Sequence, residues 1–359
     1  MKYFLTLCSL VFMACNFSKP TPTQQDWTFA DFVKQDSANP ILFPDTNFRF
    51  DCPVSNKQVL WQSKNVLNPT AFIKDGKVYL LYRAQDSAMT SRLGLAISDD
   101  GIHFTKQAHP IFYPANDSLQ KYEWHGGVED PRIVSTEDGG YFLTYTSYDG
   151  KTARLCFATS KNLLNWEKHG PLLKSEKYIN AWSKSGAMVV ERKGDQMVAK
   201  KINGKYWMYF GDTQLFMAYS EDLIHWEALE NKESQKLVPV LHPRAGYFDS
   251  RLVEPGPFAL YTNKGIVLIY NSSNAANNND PNLPIYTYAA AQALYDTTHP
   301  YKLLDRTEGY FIHPDKPYEK TGEVNEVCFV EGLVYFKNKW FLYYGTADSK
   351  IAVAIAQPR

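Results

Sequence analysis

Apolar and aromatic residues fall in short runs along this chain, and each run follows a tight polar turn. Asp75-Gly76-Lys77 precedes Val78 to Ala84, and Asp138-Gly139-Gly140 precedes Tyr141 to Ser147. Asn203-Gly204-Lys205 leads into Tyr206 to Asp212, Asn263-Lys264-Gly265 into Ile266 to Asn271, and Lys337-Asn338-Lys339 into Trp340 to Asp348. Such runs, bounded by Gly, Asn and Asp, predict strands closed as β-hairpins. A second run follows three of the copies, at Leu93 to Ser98, Leu155 to Ser160 and Leu215 to Ser220. Each ends in a similar corner: Asp100-Gly101-Ile102-His103-Phe104, Asn162-Leu163-Leu164-Asn165-Trp166 and Asp222-Leu223-Ile224-His225-Trp226. No long amphipathic helical pattern interrupts them. The period is roughly 60–75 residues, which suits the blades of a propeller. Five copies predict an all-β fold, a five-bladed β-propeller. One repeat cannot bury its faces alone, so residues 51–359 are expected to form a single domain. The alternative, a β-sandwich, would not need a periodic turn–strand–corner signature.

In a propeller the strands nearest the axis carry the polar residues that meet in its funnel. Arg83, Thr146, Gly211, Asn271 and Gly345 stand at one equivalent position, just past the last aromatic of each run, and Asp212 and Asp348 come slightly later in theirs. This ring is expected to line a pocket.

The densest chemistry lies in Gly126-Gly127-Val128-Glu129-Asp130-Pro131-Arg132. Two glycines let the backbone turn sharply or approach a ligand. Pro131 keeps Asp130 out of helical geometry, and an extended conformation is expected there. The segment reads as a stiff loop at the mouth of the short strand Ile133-Val134, displaying two acids and a base. The competing reading is a solvated turn with a local ion pair.

Composition narrows the partners. Lys plus Arg balance Asp plus Glu at 38 each, so no basic block exists to neutralise phosphates and a nucleic-acid partner is not expected. Aromatic residues make up 15% of the chain, which suits strands and also sugar stacking. Residues 1–15 read as an export signal, with Lys2 as the positive start and Phe4 to Ala14 as an apolar stretch too short to span a bilayer. Phe12-Met13-Ala14-Cys15 resembles a bacterial lipobox, although Phe12 stands where leucine is usual; an ordinary cleaved signal is the alternative. Residues 16–50 then form a tether and N-terminal extension, and an N-terminal lipid is the only membrane attachment expected. The expected location is the periplasm or outer membrane of a Gram-negative bacterium. Cys52, Cys156 and Cys328 remain, so at most one disulfide can form. Cys156 and Cys328 lie in apolar runs and read as buried small hydrophobes. No spacing suggests a metal site, and no cofactor is expected. The sequence leaves the oligomeric state open.

The Gly-Val-Glu-Asp-Pro-Arg-Ile segment at residues 127–133, taken with the repeats, resembles glycoside hydrolase family 130. The likeness extends over Asn68-Pro69, Tyr82-Arg83-Ala84, Lys201-Ile202-Asn203-Gly204-Lys205-Tyr206 and Tyr343-Tyr344-Gly345-Thr346-Ala347-Asp348. That family contains β-mannoside phosphorylases and β-mannosidases on a five-bladed propeller. The resemblance implies that Asp130 is the catalytic acid, protonating the glycosidic oxygen through a hydroxyl of the bound mannose. It implies sugar contacts for Asn68, Arg83 and Asp348. Glu129, Arg132, Lys184 and Asn271 complete the expected substrate-binding set, and the expected partner is a mannose-containing oligosaccharide.

Phosphorolysis needs cationic and histidine groups around a phosphate, whereas hydrolysis needs a carboxylate to deprotonate water. Phosphorylases of the family typically carry a Gly-Ala-Gly run and then Tyr-His-Gly in the fourth blade. This chain has Leu252-Val253-Glu254-Pro255-Gly256-Pro257 and then Tyr270-Asn271-Ser272. Glu254 is therefore the favoured general base, with Asp212 as helper or alternative. Arg154 and Lys184 pull toward phosphate. Export favours hydrolysis, because a sugar phosphate is useful only in the cytoplasm. Asp130 is expected to be protonated or relayed, and the base ionised. The reading is an exo-acting, inverting β-mannosidase. The hydrolases that most resemble this pattern act on β-1,2 mannosides, which makes that linkage the expected one. The alternatives are a β-mannoside phosphorylase, a non-catalytic glycan-binding lipoprotein, and another five-bladed glycosidase such as an arabinofuranosidase.

Overall fold

The computed structural model describes residues 25–29 and 31–358. The export signal, the lipobox and most of the tether lie outside them. Strands dominate, and the α-helices among the described residues are the single turns Gln120–Glu123 and Pro317–Lys320. The fold is all-β.

Consecutive strands pair as antiparallel meanders. Asn65–Lys74, Lys77–Gln85, Ser91–Ser98 and Thr105–Lys106 form one. Gly127–Ser135, Tyr141–Tyr148, Ala153–Ser160 and Glu167–Pro171 form the next. Ala187–Lys193, Lys205–Phe210, Phe216–Ser220 and Glu227–Ala228 follow, then Leu252–Tyr261, Ile266–Ser273, Tyr288–Tyr295 and Leu303–Arg306. In the last meander Cys328–Phe336, Lys339–Thr346 and Lys350–Ala356 take their outer strand from the other end of the chain, as Val33–Lys34 pairs with Ala354 and Ile355. Phe29 and Phe32 pack on Trp340 and Phe311, and Lys34 reaches Glu319 at 2.7 Å. The described part of the N-terminal extension is thus part of the packed body.

The predicted turns have a physical basis in the backbone. Asp75-Gly76, Asn203-Gly204 and Lys337-Asn338 all have positive φ and close two-residue hairpins, the conformation that matches strand twist. The repeated corners share one hydrogen-bond scheme. Ser98 Oγ accepts from Gly101 N, and Asp100 Oδ1 accepts from Ile102 N and His103 N; Ser160 with Asn162 and Ser220 with Asp222 do the same. Between meanders, apolar side chains interleave: Phe142, Phe157, Met188 and Met208 in one cluster, Tyr209, Phe248, Tyr270 and Tyr295 in another. Each such burial stabilises the fold by about 1.5–3 kcal/mol. Cys52, Cys156 and Cys328 are buried free thiols.

Candidate active site

The first strands of four meanders carry register irregularities, and the site is built on them. Asn68 lies in the shift between Leu67 and Pro69, Asp130 between Glu129 and Arg132, and Glu331 between Val330 and Gly332. The fourth irregularity follows Glu254-Pro255. A bulge leaves its extra residue outside the ladder and re-aims the side chain. Proline after Asn68, Asp130 and Glu254 supports this, because it has no N–H to return to the ladder.

All of the glycine-rich motif but Gly126 is therefore inside the strand Gly127–Ser135, not in a loop ahead of it. Asp130 is also not extended: its φ is 49°. Proline bars only the right-handed helical region to the residue before it, and aspartate tolerates the left-handed one that this bulge imposes. The glycines are required by close approach. A Cβ on Gly127 would stand 2.2 Å from the Ser91 carbonyl oxygen, and one on Gly126 would stand 2.3 Å from the Tyr148 ring.

Asp130 is 2% exposed, and its side-chain hydrogen bonds fall on one oxygen. Its Oδ1 accepts from Asn68 Nδ2 at 2.9 Å and from Arg83 Nη1 at 3.0 Å. Arg83 also donates to Glu129 Oε1 at 2.7 Å and to Ser91 Oγ at 2.9 Å. Lys184 Nζ stands 3.7 Å from Asp130 Oδ2 and 3.9 Å from Glu254 Oε1. The two carboxylates thus face one ammonium, and their nearest oxygens are separated by at most the sum of those distances. That bound is compatible with the spacing of about 6.5–9.5 Å that admits a water between inverting carboxylates. Glu254 is buried and accepts from the Ser185 hydroxyl.

The remaining expected residues divide. Asp348 is partly exposed, and its charge reaches Arg83 and Asp130. Asp212 accepts the indole N–H of Trp182 at 2.7 Å while its charge acts on Glu254 and Lys184. Arg132 lies behind the site: it donates to the Gly256 carbonyl at 2.6 Å and the Pro255 carbonyl at 2.7 Å, and pairs with Glu331 at 2.7 Å. It braces the Asp130 strand against the Glu254 strand. Asn271 does not face a ligand: it is fully buried, donating to the Val330 carbonyl at 2.9 Å and accepting from Val330 N at 2.7 Å. Of the expected ring, Arg83 enters the cluster. Gly345 serves by lacking a side chain, since a Cβ there would meet Asn68 Oδ1 at 2.6 Å.

The electrostatics reverse the protonation order expected from sequence. Burial alone would raise Asp130, but Arg83, Lys184 and the Asn68 hydrogen bond outweigh it and hold the carboxyl well below the usual range. Burial raises Glu254; Lys184 and Ser185 offset this only in part, and Asp212 adds to it. Glu129 is also raised, by burial first, against Arg83. Asp348 is pushed up to about 6 by burial, with Arg83 opposing. Of the two expectations for Asp130, protonated or relayed, the two cations and the amide work against the first in the free site.

Sequence reasoning missed Ser185, Ser91, Glu331, Trp182 and Tyr288. Tyr288 is partly buried, and the charges of Glu254 and Asp348 both reach its hydroxyl. Glu331-Gly332 sits at the bulge position of Asn68-Pro69 and Asp130-Pro131, which an alignment of the repeats by bulge rather than by turn would have found.

Comparison with known proteins gives one family, with both phosphorylases and glycoside hydrolases among the similar proteins. Residues 32–358 match the family model for glycoside hydrolase family 130, described as β-1,4-mannooligosaccharide phosphorylase. A 1,2-β-oligomannan phosphorylase from Thermoanaerobacter is 32% identical, over 90% of this chain and 97% of its own. A structure from work describing that the GH130 family of mannoside phosphorylases contains glycoside hydrolases that target β-1,2 mannosidic linkages in Candida mannan is 45% identical, with a TM-score of 0.92, covering 94% of this chain and 96% of that one. A glycosyl hydrolase structure from Bacteroides ovatus is 44% identical, with a TM-score of 0.91, over 94% and 96% of the two chains.

Proposed function

The chain belongs to glycoside hydrolase family 130, whose relatives act on manno-oligosaccharides, and from that premise we propose that it is an exo-acting, inverting β-mannosidase with β-1,2-linked manno-oligosaccharides as substrates. The observation that carries this reading is the pair Asp130 and Glu254 across Lys184. Asp130 gives its proton to a mannose hydroxyl as that hydroxyl protonates the glycosidic oxygen. Glu254 takes a proton from water, which attacks the anomeric carbon from the opposite face, and the C–O bond to the leaving sugar breaks. Asn68, Arg83 and Asp348 hold the mannose. Among the described residues Asn68 Oδ1 has no hydrogen-bond donor, but it lies buried against Gly345, so the mannose contact assigned to Asn68 rests on the family resemblance. The meanders are read as the five blades of a propeller and residues 51–359 as one catalytic domain. The chain is read as an exported lipoprotein.

Phosphorolysis is the second reading, favoured by the curated relatives that are phosphorylases. Two features weigh against it. A phosphate dianion beside Glu254 and Asp212 would meet repulsion of about 4 kcal/mol per charge pair at 4 Å and moderate dielectric. Arg154, the other expected phosphate group, is committed to Asp149 at 2.7 Å, the Ile179 carbonyl at 2.9 Å and Asn180 at 3.0 Å. The test is mannose release from β-1,2-mannobiose with phosphate as the variable. Equal rates without phosphate are expected; a strict phosphate requirement with mannose 1-phosphate as product would overturn the reading.

A further inference from the structure

Trp182 is an exposed aromatic residue with a fixed orientation. Its side chain belongs to a residue 55% exposed, in a protein whose other tryptophans include several that are fully or nearly buried. Exposure of a large ring usually comes with conformational freedom. Here the indole N–H donates to Asp212 Oδ2 at 2.7 Å, and Tyr148 meets the ring edge-on, with centroids 6.4 Å apart and planes at 69°. The backbone that follows it is tied down as well. Ser183 N donates to the Ala153 carbonyl at 3.0 Å, and Gly211 N to the Lys184 carbonyl at 2.9 Å.

The place of this ring matters more than its exposure. It is two residues from Lys184, the ammonium between Asp130 and Glu254. Tyr148, its edge-on partner, pairs with Gly127 at the start of the Glu129-Asp130 strand and packs where Gly126 has no side chain. Asp212, its hydrogen-bond partner, acts electrostatically on both Glu254 and Lys184. The indole therefore stands between the strand that carries Asp130 and the turn that carries Asp212. A flat apolar face held rigid beside polar groups loses little conformational entropy when a pyranose ring packs on it, and tryptophan gives the largest such face.

We propose that Trp182 is the aromatic wall of the subsite for the leaving sugar, and that Asp212 is the positioning residue that fixes it. This rests on the mannosidase reading for the identity of the substrate, but not on the choice of water over phosphate, because the leaving sugar is the same in both reactions. Among the described residues the one hydrogen bond to Asp212 Oδ1 beside the indole contact at Oδ2 is the long one from Thr213 Oγ1 at 3.5 Å, so one carboxylate joins the leaving-sugar wall to the charge around Glu254.

The test compares β-1,2-mannobiose with β-mannosyl fluoride, whose leaving group is too small to touch a wall. Trp182→Ala is expected to lower kcat/KM for mannobiose at least tenfold, mainly through KM, and to leave the fluoride within twofold. Trp182→Phe keeps the ring face and is expected to recover most of the loss. Asp212→Asn, which retains an acceptor for the indole, is expected to disturb mannobiose less than Asp212→Ala. Equal losses on both substrates would make Trp182 a support of the reacting carboxylates and would overturn the proposal, as would no loss on either. Failure of the hydrolase reading looks different: wild type would then turn over mannobiose only with phosphate, and the same variants would be compared in its presence.

Discussion

Asp130 and Glu254 occupy matched places and are treated oppositely. Both precede a proline in the first strand of a meander, Asp130 within an irregularity of the ladder and Glu254 just before one; both are buried, and both face Lys184. Asp130 has Arg83 and Asn68 on one oxygen, and its pKa is depressed. Glu254 has one serine hydroxyl and a nearby negative Asp212, and its pKa is raised. Equal burial thus produces opposite shifts, and the immediate partners decide the sign. In the free protein the group assigned as acid is the stronger acid of the two. The reactive form, with Asp130 protonated and Glu254 ionised, is then a minor one. The profile of kcat/KM against pH remains bell-shaped, with its acidic limb below the ordinary carboxylate range and its alkaline limb above it.

The sharpest way to break this comparison is to remove each carboxylate in turn. Asp130→Asn and Glu254→Gln should each lower kcat on β-1,2-mannobiose by about 10²–10⁴-fold. Only Asp130→Asn should recover on β-mannosyl fluoride, whose departure needs no proton. Recovery of Glu254→Gln instead would exchange the two roles.

Next in size is Arg83→Met, which leaves Glu129 and Asp130 buried beside a neutral side chain. Loss of about 3–5 kcal/mol is expected in denaturant unfolding, as for breaking a buried ion pair. One of the groups that lower Asp130 is then gone, so its pKa rises and the acidic limb moves to higher pH. An unmoved limb would show that Arg83 does not set the Asp130 charge.

Lys184→Gln sharpens the comparison rather than breaking it. The ammonium lowers both carboxyl pKa values, so its removal raises both, and both limbs of the profile should shift to higher pH. Movement of one limb alone would contradict a shared cation. The smallest effect is expected for Gly345→Ala. The new methyl must displace the Asn68 amide from Asp130, and loss of one hydrogen bond of about 1 kcal/mol lowers kcat/KM about fivefold.

The parts of this site that local sequence can encode were readable. The Gly-Gly-Val-Glu-Asp-Pro-Arg segment announced Asp130, and the turn-and-run period announced antiparallel hairpins. Glu254 stood out because it departs from the Gly-Ala-Gly run that the resembling phosphorylases carry there. What failed was orientation between meanders. Asn271 and Arg83 share a position in their repeats, yet Asn271 turns into the neighbouring strand at Val330 and Arg83 turns to Asp130. Period alone fixes a side chain to a face of a sheet, not to the space that face meets. Ser185, Tyr288 and Glu331 belong to segments that only tertiary packing brings together. The pKa order was unreadable for the same reason, since it depends on which atoms lie within a few ångströms.

The central claim is that water, placed by Glu254 opposite Asp130, attacks the mannosyl carbon in one displacement. Proton NMR of β-1,2-mannobiose turnover in phosphate-free buffer tests it most directly. The account predicts that the first mannose released from the non-reducing end is the α-anomer. Release of the β-anomer first, or no release until phosphate is added, would contradict it.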